Sequence, residues 1–156
     1  SSIVHGHGLL FVNTGGHPGE SEFWAIREGG KGDLIDSHVA WKMTKDTPFQ
    51  TSPVLGDGLL YTVTDEGVLT CMEAATGKPV WSRRLKGKYG ASPLAAADRI
   101  YLSNTKGATT VFAAGRECRE LAANQLDGEL WASPAVAGKT LLLRTKTHLY
   151  RIGQKG

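Results

Sequence analysis

The chain has 156 residues, 40% hydrophobic and 21% charged, the proportions of one globular domain whose core needs no disulfide staples. Its 20 glycines are more than a helical protein tolerates and point to turn-rich β structure. The net charge of +3 is scattered, and the one basic cluster, Arg83, Arg84, Lys86 and Lys88, has no aromatic base-stacking platform, so it reads as a solvated turn and no nucleic-acid partner is expected.

No run approaches the roughly 18 apolar residues of a membrane span, and the first residues lack the charged and apolar regions of a signal peptide. A cytosolic chain, or one already trimmed, is expected.

Ser2-Ile3-Val4-His5 opens the first of about four repeats and leads through a short turn into the strand Leu9-Leu10-Phe11-Val12. Two glycine-rich insertions follow, 15–21 and 28–33, which lengthen this repeat and must be surface loops. Trp41, in His38-Val39-Ala40-Trp41-Lys42, belongs to its outermost strand.

The second repeat begins at Ser52-Pro53-Val54-Leu55 and continues into Leu59-Leu60-Tyr61-Thr62. Its third element, Gly67 to Ala74, alternates so that every second side chain can face a neighbouring sheet. Thr76-Gly77 then supplies a turn before a strand carrying Trp81, because glycine accepts the positive φ of a tight hairpin. A tryptophan so placed is expected to fill the wide gap between neighbouring sheets at the outer radius.

Ser92-Pro93-Leu94-Ala95 opens the third repeat and Ser133-Pro134-Ala135-Val136 the fourth, so the three Ser-Pro serines lie 40 and 41 positions apart. That period is the length of a four-stranded propeller blade. The second strands are Arg99-Ile100-Tyr101-Leu102 and Thr140-Leu141-Leu142-Leu143; the third elements run from Gly107 to Ala113 and from Thr147 to Ile152. In the third repeat Ala114-Gly115-Arg116-Glu117-Cys118 replaces the Thr-Gly-Lys turn and no outer tryptophan follows. The fourth stops before any outer strand.

The expected architecture is all-β: four-stranded antiparallel sheets forming propeller blades in a single domain, 1–156, with repeats of about 1–50, 51–90, 91–131 and 132–156. Because Ser52, Ser92 and Ser133 recur at one position, they are expected to share a structural role such as bonding an inner backbone group, not to act as nucleophiles. No Gly-x-Ser-x-Gly elbow is present, and the glycine pairs at 15–16 and 29–30 lack Walker spacing.

His5, His7 and His17 are the one histidine group that could suggest a metal, since imidazole is a common ligand. Against it, no cysteine or carboxylate at zinc spacing joins them, and His5-Gly6-His7-Gly8 aligns with the turn Leu55-Gly56-Asp57-Gly58. No metal is expected. Cys71 and Cys118 have no C-x-x-C spacing and read as small residues on apolar strands, their redox state open.

The second repeat, Ser-Pro-Val, Asp57-Gly58-Leu59-Leu60-Tyr61, Asp65-Glu66-Gly67-Val68-Leu69 and Ala74-Ala75-Thr76-Gly77-Lys78-Pro79-Val80-Trp81, resembles the repeat of pyrroloquinoline-quinone-like β-propellers. The resemblance implies a bacterial, periplasmic or extracytoplasmic protein and, because such propellers usually have eight blades, a fragment of a longer chain or a homodimer completing an eight-bladed ring. Relatives include quinoprotein alcohol dehydrogenases and a lipoprotein that assists outer-membrane β-barrel assembly.

Enzymatic members hold the quinone over a tryptophan floor beneath a disulfide of adjacent cysteines, with calcium on carboxylate and amide ligands and a catalytic aspartate nearby. None of these residues carries over, so no catalytic residue and no cofactor is expected. The expected function is a non-catalytic binding or scaffolding module with a protein partner. The alternative is a portion of a quinone-dependent dehydrogenase whose cofactor site lies in other blades.

Overall fold

The computed structural model describes residues 1–15 and 20–153, which form four antiparallel sheets, each following the chain in simple meander order. The first holds β1 (Val4–Gly6), β2 (Leu9–Asn13), β3 (Phe23–Arg27) and β4 (Val39–Met43). The second holds β5 (Val54–Gly56), β6 (Leu59–Val63), β7 (Val68–Glu73) and β8 (Pro79–Arg84). The third holds β9 (Leu94–Ala96), β10 (Arg99–Ser103), β11 (Ala108–Ala113) and β12 (Glu120–Gln125). In the fourth, β13 (Ala135–Ala137), β14 (Thr140–Arg144) and β15 (Leu149–Gly153) leave the outer edge of β15 unpaired among the described residues. No helix among them is long and apolar enough to cross a membrane.

Each innermost strand turns back through two residues, and in the first three blades both have positive φ: His7 and Gly8, Asp57 and Gly58, Ala97 and Asp98. This is the twist that matches a hairpin to the right-handed twist of its strands. In every four-stranded sheet the pairing of third and fourth strands slips by one residue, at Ala25/Ile26, Cys71/Met72 and Val111/Phe112. A bulge there adds twist to the outer strand.

Alternate side chains of each blade meet the next in three cores. Phe11, Phe23 and Ala25 pack on Leu60 and Met72; Tyr61, Leu69 and Cys71 pack with Ile100, Leu102 and Phe112; Ala91, Leu130 and Leu143 form a smaller third core. The two outer tryptophans span these seams as the sequence leads one to expect. Trp41 Nε1 donates to the Ala74 carbonyl at 2.9 Å, and Trp81 Nε1 donates to the Gly115 carbonyl at 3.1 Å. Ala122 stands opposite Val111 where Trp81 stands opposite Cys71, and β12 is exposed throughout.

The repeated serines form a ladder. The Ser2 N–H donates to Ser52 Oγ at 2.7 Å, the Ser52 N–H to Ser92 Oγ at 2.9 Å, and the Ser92 N–H to Ser133 Oγ at 3.0 Å. The hydroxyls thus bind backbone of the preceding blade.

Three local features differ from expectation. The second insertion ends in a single helical turn, α1 (Ile35–His38), started where Asp33 Oδ1 accepts the Ile35 N–H at 3.0 Å. Arg83 and Arg84 lie on β8 itself, not in a turn, with Arg83 3.7 Å from Glu120 and Lys88 3.3 Å from Glu66. Cys118 is exposed beyond β11, whereas Cys71 is buried, and both are free thiols.

Candidate functional site

Gln50, Gly90 and Trp131 each stand two residues before a ladder serine, at the blade end where the chain enters the innermost strand. Leu130 is buried in the third core and its N–H donates to the Thr105 carbonyl at 3.2 Å, which anchors the backbone beneath its neighbour. Trp131 therefore turns outward and is 55% exposed. It covers Gly90 so closely that a Cβ there would lie 2.7 Å from the indole, and Gln50 Oε1 would lie 3.6 Å from the same point. Glycine makes room for the ring.

The indole N–H donates to Glu129 Oε2 at 3.3 Å, and the Glu129 carbonyl accepts the Lys146 N–H at 2.8 Å. A cavity of about 530 Å³ opens beside it, lined by Glu129, Trp131, Ala132, Arg144, Thr145 and Lys146. An aromatic face, two cations and one carboxylate suit a partner that brings apolar and acidic groups together.

A second cavity, about 430 Å³, lies at the opposite blade end between the second and third blades, with Asp57, Tyr61, Asp98, Arg99 and Gly115 among its walls. The Gly115 N–H donates to the Tyr61 hydroxyl at 2.7 Å. Burial pushes the Tyr61 phenol up to about 12 and the Cys71 thiol paired with it across the strands up to about 11. Both stay protonated at neutral pH, the reverse of what a general base requires.

His5 lies on β1 with its Nε2 against the Glu28 carboxylate, and His7 occupies the hairpin turn with φ 55°. His17 lies outside the described residues. Among the described residues no three His, Cys, Asp or Glu side chains converge as a metal site. The donors present do not fit the quinone and calcium of the enzymatic propellers: one cysteine is buried, the other exposed, and the two are remote in sequence. Trp131 is the functional candidate that sequence reasoning missed. The signal was its place beside the ladder serine, outside both outer-strand tryptophan motifs.

Successive four-stranded blades, a serine ladder and tryptophans spanning the seams define a β-propeller of the quinoprotein-like repeat type. Residues 33–149 match the family described as outer membrane protein assembly factor BamB, and the chain belongs to that family. No curated protein matches the sequence.

Among solved structures, BamB from Moraxella catarrhalis is 9% identical with a TM-score of 0.68, over 92% of this chain and 39% of that one. The quinohemoprotein alcohol dehydrogenase ADHIIG from Pseudomonas putida HK5 is 15% identical at 0.68, over 90% and 27%. The computationally designed Ika4 protein is 12% identical at 0.71, over 97% and 89%. At these identities the likeness is one of fold, and this chain spans about two-fifths of the Moraxella protein. The fold is common to an assembly factor and to dehydrogenases and by itself assigns no activity.

Proposed function

We propose that the chain is a non-catalytic, extracytoplasmic binding module that engages protein through the blade end carrying Trp131. The observation that carries this reading is the indole held outward over Gly90 between Glu129, Arg144 and Lys146. Tryptophan and arginine are the residues that most often anchor protein interfaces. The family's description as an outer membrane protein assembly factor supplies the partner class. The upward shifts at Tyr61 and Cys71 support a structural use of the cleft between the second and third blades.

The test uses an outer-membrane protein held unfolded in urea and diluted into the chain. The chain is expected to slow its aggregation and to shift tryptophan emission, and Trp131→Ala to lose both effects while retaining the β-sheet circular dichroism. Binding unchanged in Trp131→Ala overturns the assigned surface. Oxidation of an alcohol on adding pyrroloquinoline quinone and calcium overturns the non-catalytic reading.

A further inference from the structure

The innermost strands of the second, third and fourth blades carry Leu55, Ala95 and Val136 at corresponding places, on the side that faces the preceding blade. In the first seam Leu55 packs into the core, and a Cβ added to Gly6 opposite would run into its Cδ2. The second seam has the same glycine, Gly56, but Ala95 stops short of it, and a Cβ added there would meet nothing within 4 Å. Ala95 is exposed, whereas Leu55 is half-buried. The second seam is thus unfilled where the chain's own leucine fills the first.

That gap belongs to the cavity of about 430 Å³ between the second and third blades. Both blades have a neighbouring blade on either side, so the cavity is built wholly inside the array. Leu59, Ile100 and Ala114 make its interior apolar. Tyr61 keeps its structural part as a wall, its hydroxyl already accepting the Gly115 N–H.

The rim is anionic. Asp57 opens the hairpin of the second blade, and Asp98 takes in the third blade the turn position that Gly8 and Gly58 hold in the first two. Asp98 has a φ of 56° there, a conformation that glycine adopts at less cost. Among the described residues neither carboxylate is in an ion pair, and Arg116, next to Gly115, is taken up by Glu73 at 2.9 Å. Arg99 corresponds to Leu59, which turns toward the following blade, so by alternation along the strand its side chain belongs to the seam with the fourth blade.

An apolar interior with carboxylates at the mouth selects a molecule charged at one end: the alkyl part leaves water while the cation stays at the wet rim. An anion of the same shape would meet two like charges.

We propose that the cleft between the second and third blades binds small aliphatic amines, the branched alkyl group lying between Gly56 and Ala95 and the ammonium held by Asp57 and Asp98. The site lies at the opposite blade end from Trp131 and does not rest on the protein-binding surface assigned there.

Isopentylamine, whose alkyl end is the isobutyl group of a leucine side chain, is the probe, with isopentanol and isocaproate as its neutral and anionic counterparts. Titrated at constant pH into the isotope-labelled chain and followed by two-dimensional NMR, it should give saturable shifts at the Gly56, Ala95 and Gly115 amides with a dissociation constant of about 1 mM. Both counterparts should bind at least about tenfold more weakly. Ala95→Leu, which puts into this seam the side chain that Leu55 puts into the first, should abolish the shifts and leave the urea midpoint no lower. Asp57→Asn with Asp98→Asn, at exposed turn positions whose left-handed backbone asparagine accepts, should weaken binding at least about tenfold, and this pair reads the site whether or not Ala95→Leu folds. Trp131→Ala should leave amine binding unchanged. No saturable shift, isocaproate or isopentanol binding as tightly as the amine, or amine binding that survives in folded Ala95→Leu or in the asparagine pair overturns the proposal.

Discussion

Trp81→Ala removes one of the two indoles that span a seam, and the structure fixes what is lost. The ring is half-buried, with its centroid 6.1 Å from those of both Tyr61 and Phe112, and its N–H donates to the Gly115 carbonyl. Covering about 100 Å² of the ring is worth roughly 2.5 kcal/mol at 25 cal/mol per Å². The hydrogen bond adds about 1 kcal/mol net. Part of this returns as neighbouring side chains relax, so Trp81→Ala is expected to cost about 3 kcal/mol, the lower end of buried aromatic truncations.

Trp81→Phe keeps an aromatic face and should cost only about 1 kcal/mol, because the Cys71 thiol, 3.8 Å from the same carbonyl, remains a donor. In urea a slope of about 2 kcal/mol per M turns these losses into midpoint drops of about 1.5 M and 0.5 M. Hydrogen exchange should place the lost protection in the second and third blades, since blades couple chiefly to their neighbours. A cost under about 0.5 kcal/mol for Trp81→Ala, or equal costs for the two variants, refutes the docking role.

Gly77→Ala should be more damaging than Gly58→Ala. Both residues have left-handed φ, 69° and 74°, but a Cβ at Gly77 would lie 2.6 Å from the Trp41 ring while one at Gly58 meets nothing within 4 Å. Urea midpoints should show about 2–3 kcal/mol against about 1 kcal/mol. Alkaline titration followed by circular dichroism should show stability constant to about pH 9 and falling from there to about 12. Burial raises Cys71 from 9.0 to about 11 and both Tyr61 and Tyr89 from 10.0 to about 12, so the unfolded chain loses these protons first. Stability rising with pH across that window contradicts the assigned burial. Thiol labelling of the native chain should modify Cys118 alone, and Cys71 should react only once denaturant opens the seam between the second and third blades.

The repeat serines, the strands and the turns were legible in sequence because each depends on its nearest neighbours along the chain. Alternation in Gly67 to Ala74 marks a strand whose every second side chain can face a neighbouring sheet, and Asp57-Gly58 marks a hairpin whether or not another blade exists. Even the shared role of Ser52, Ser92 and Ser133 could be deduced, since one position in a repeat has one environment. Tertiary structure alone decided that the ladder runs from each N–H to the next hydroxyl. It alone laid Trp131 over Gly90, 41 positions away, and put Cys118 in solvent while Cys71 went to the core. Those outcomes depend on how one blade leans on the next, an angle set by the summed volumes of Phe11, Tyr61, Phe112 and their neighbours, which no short stretch of sequence encodes.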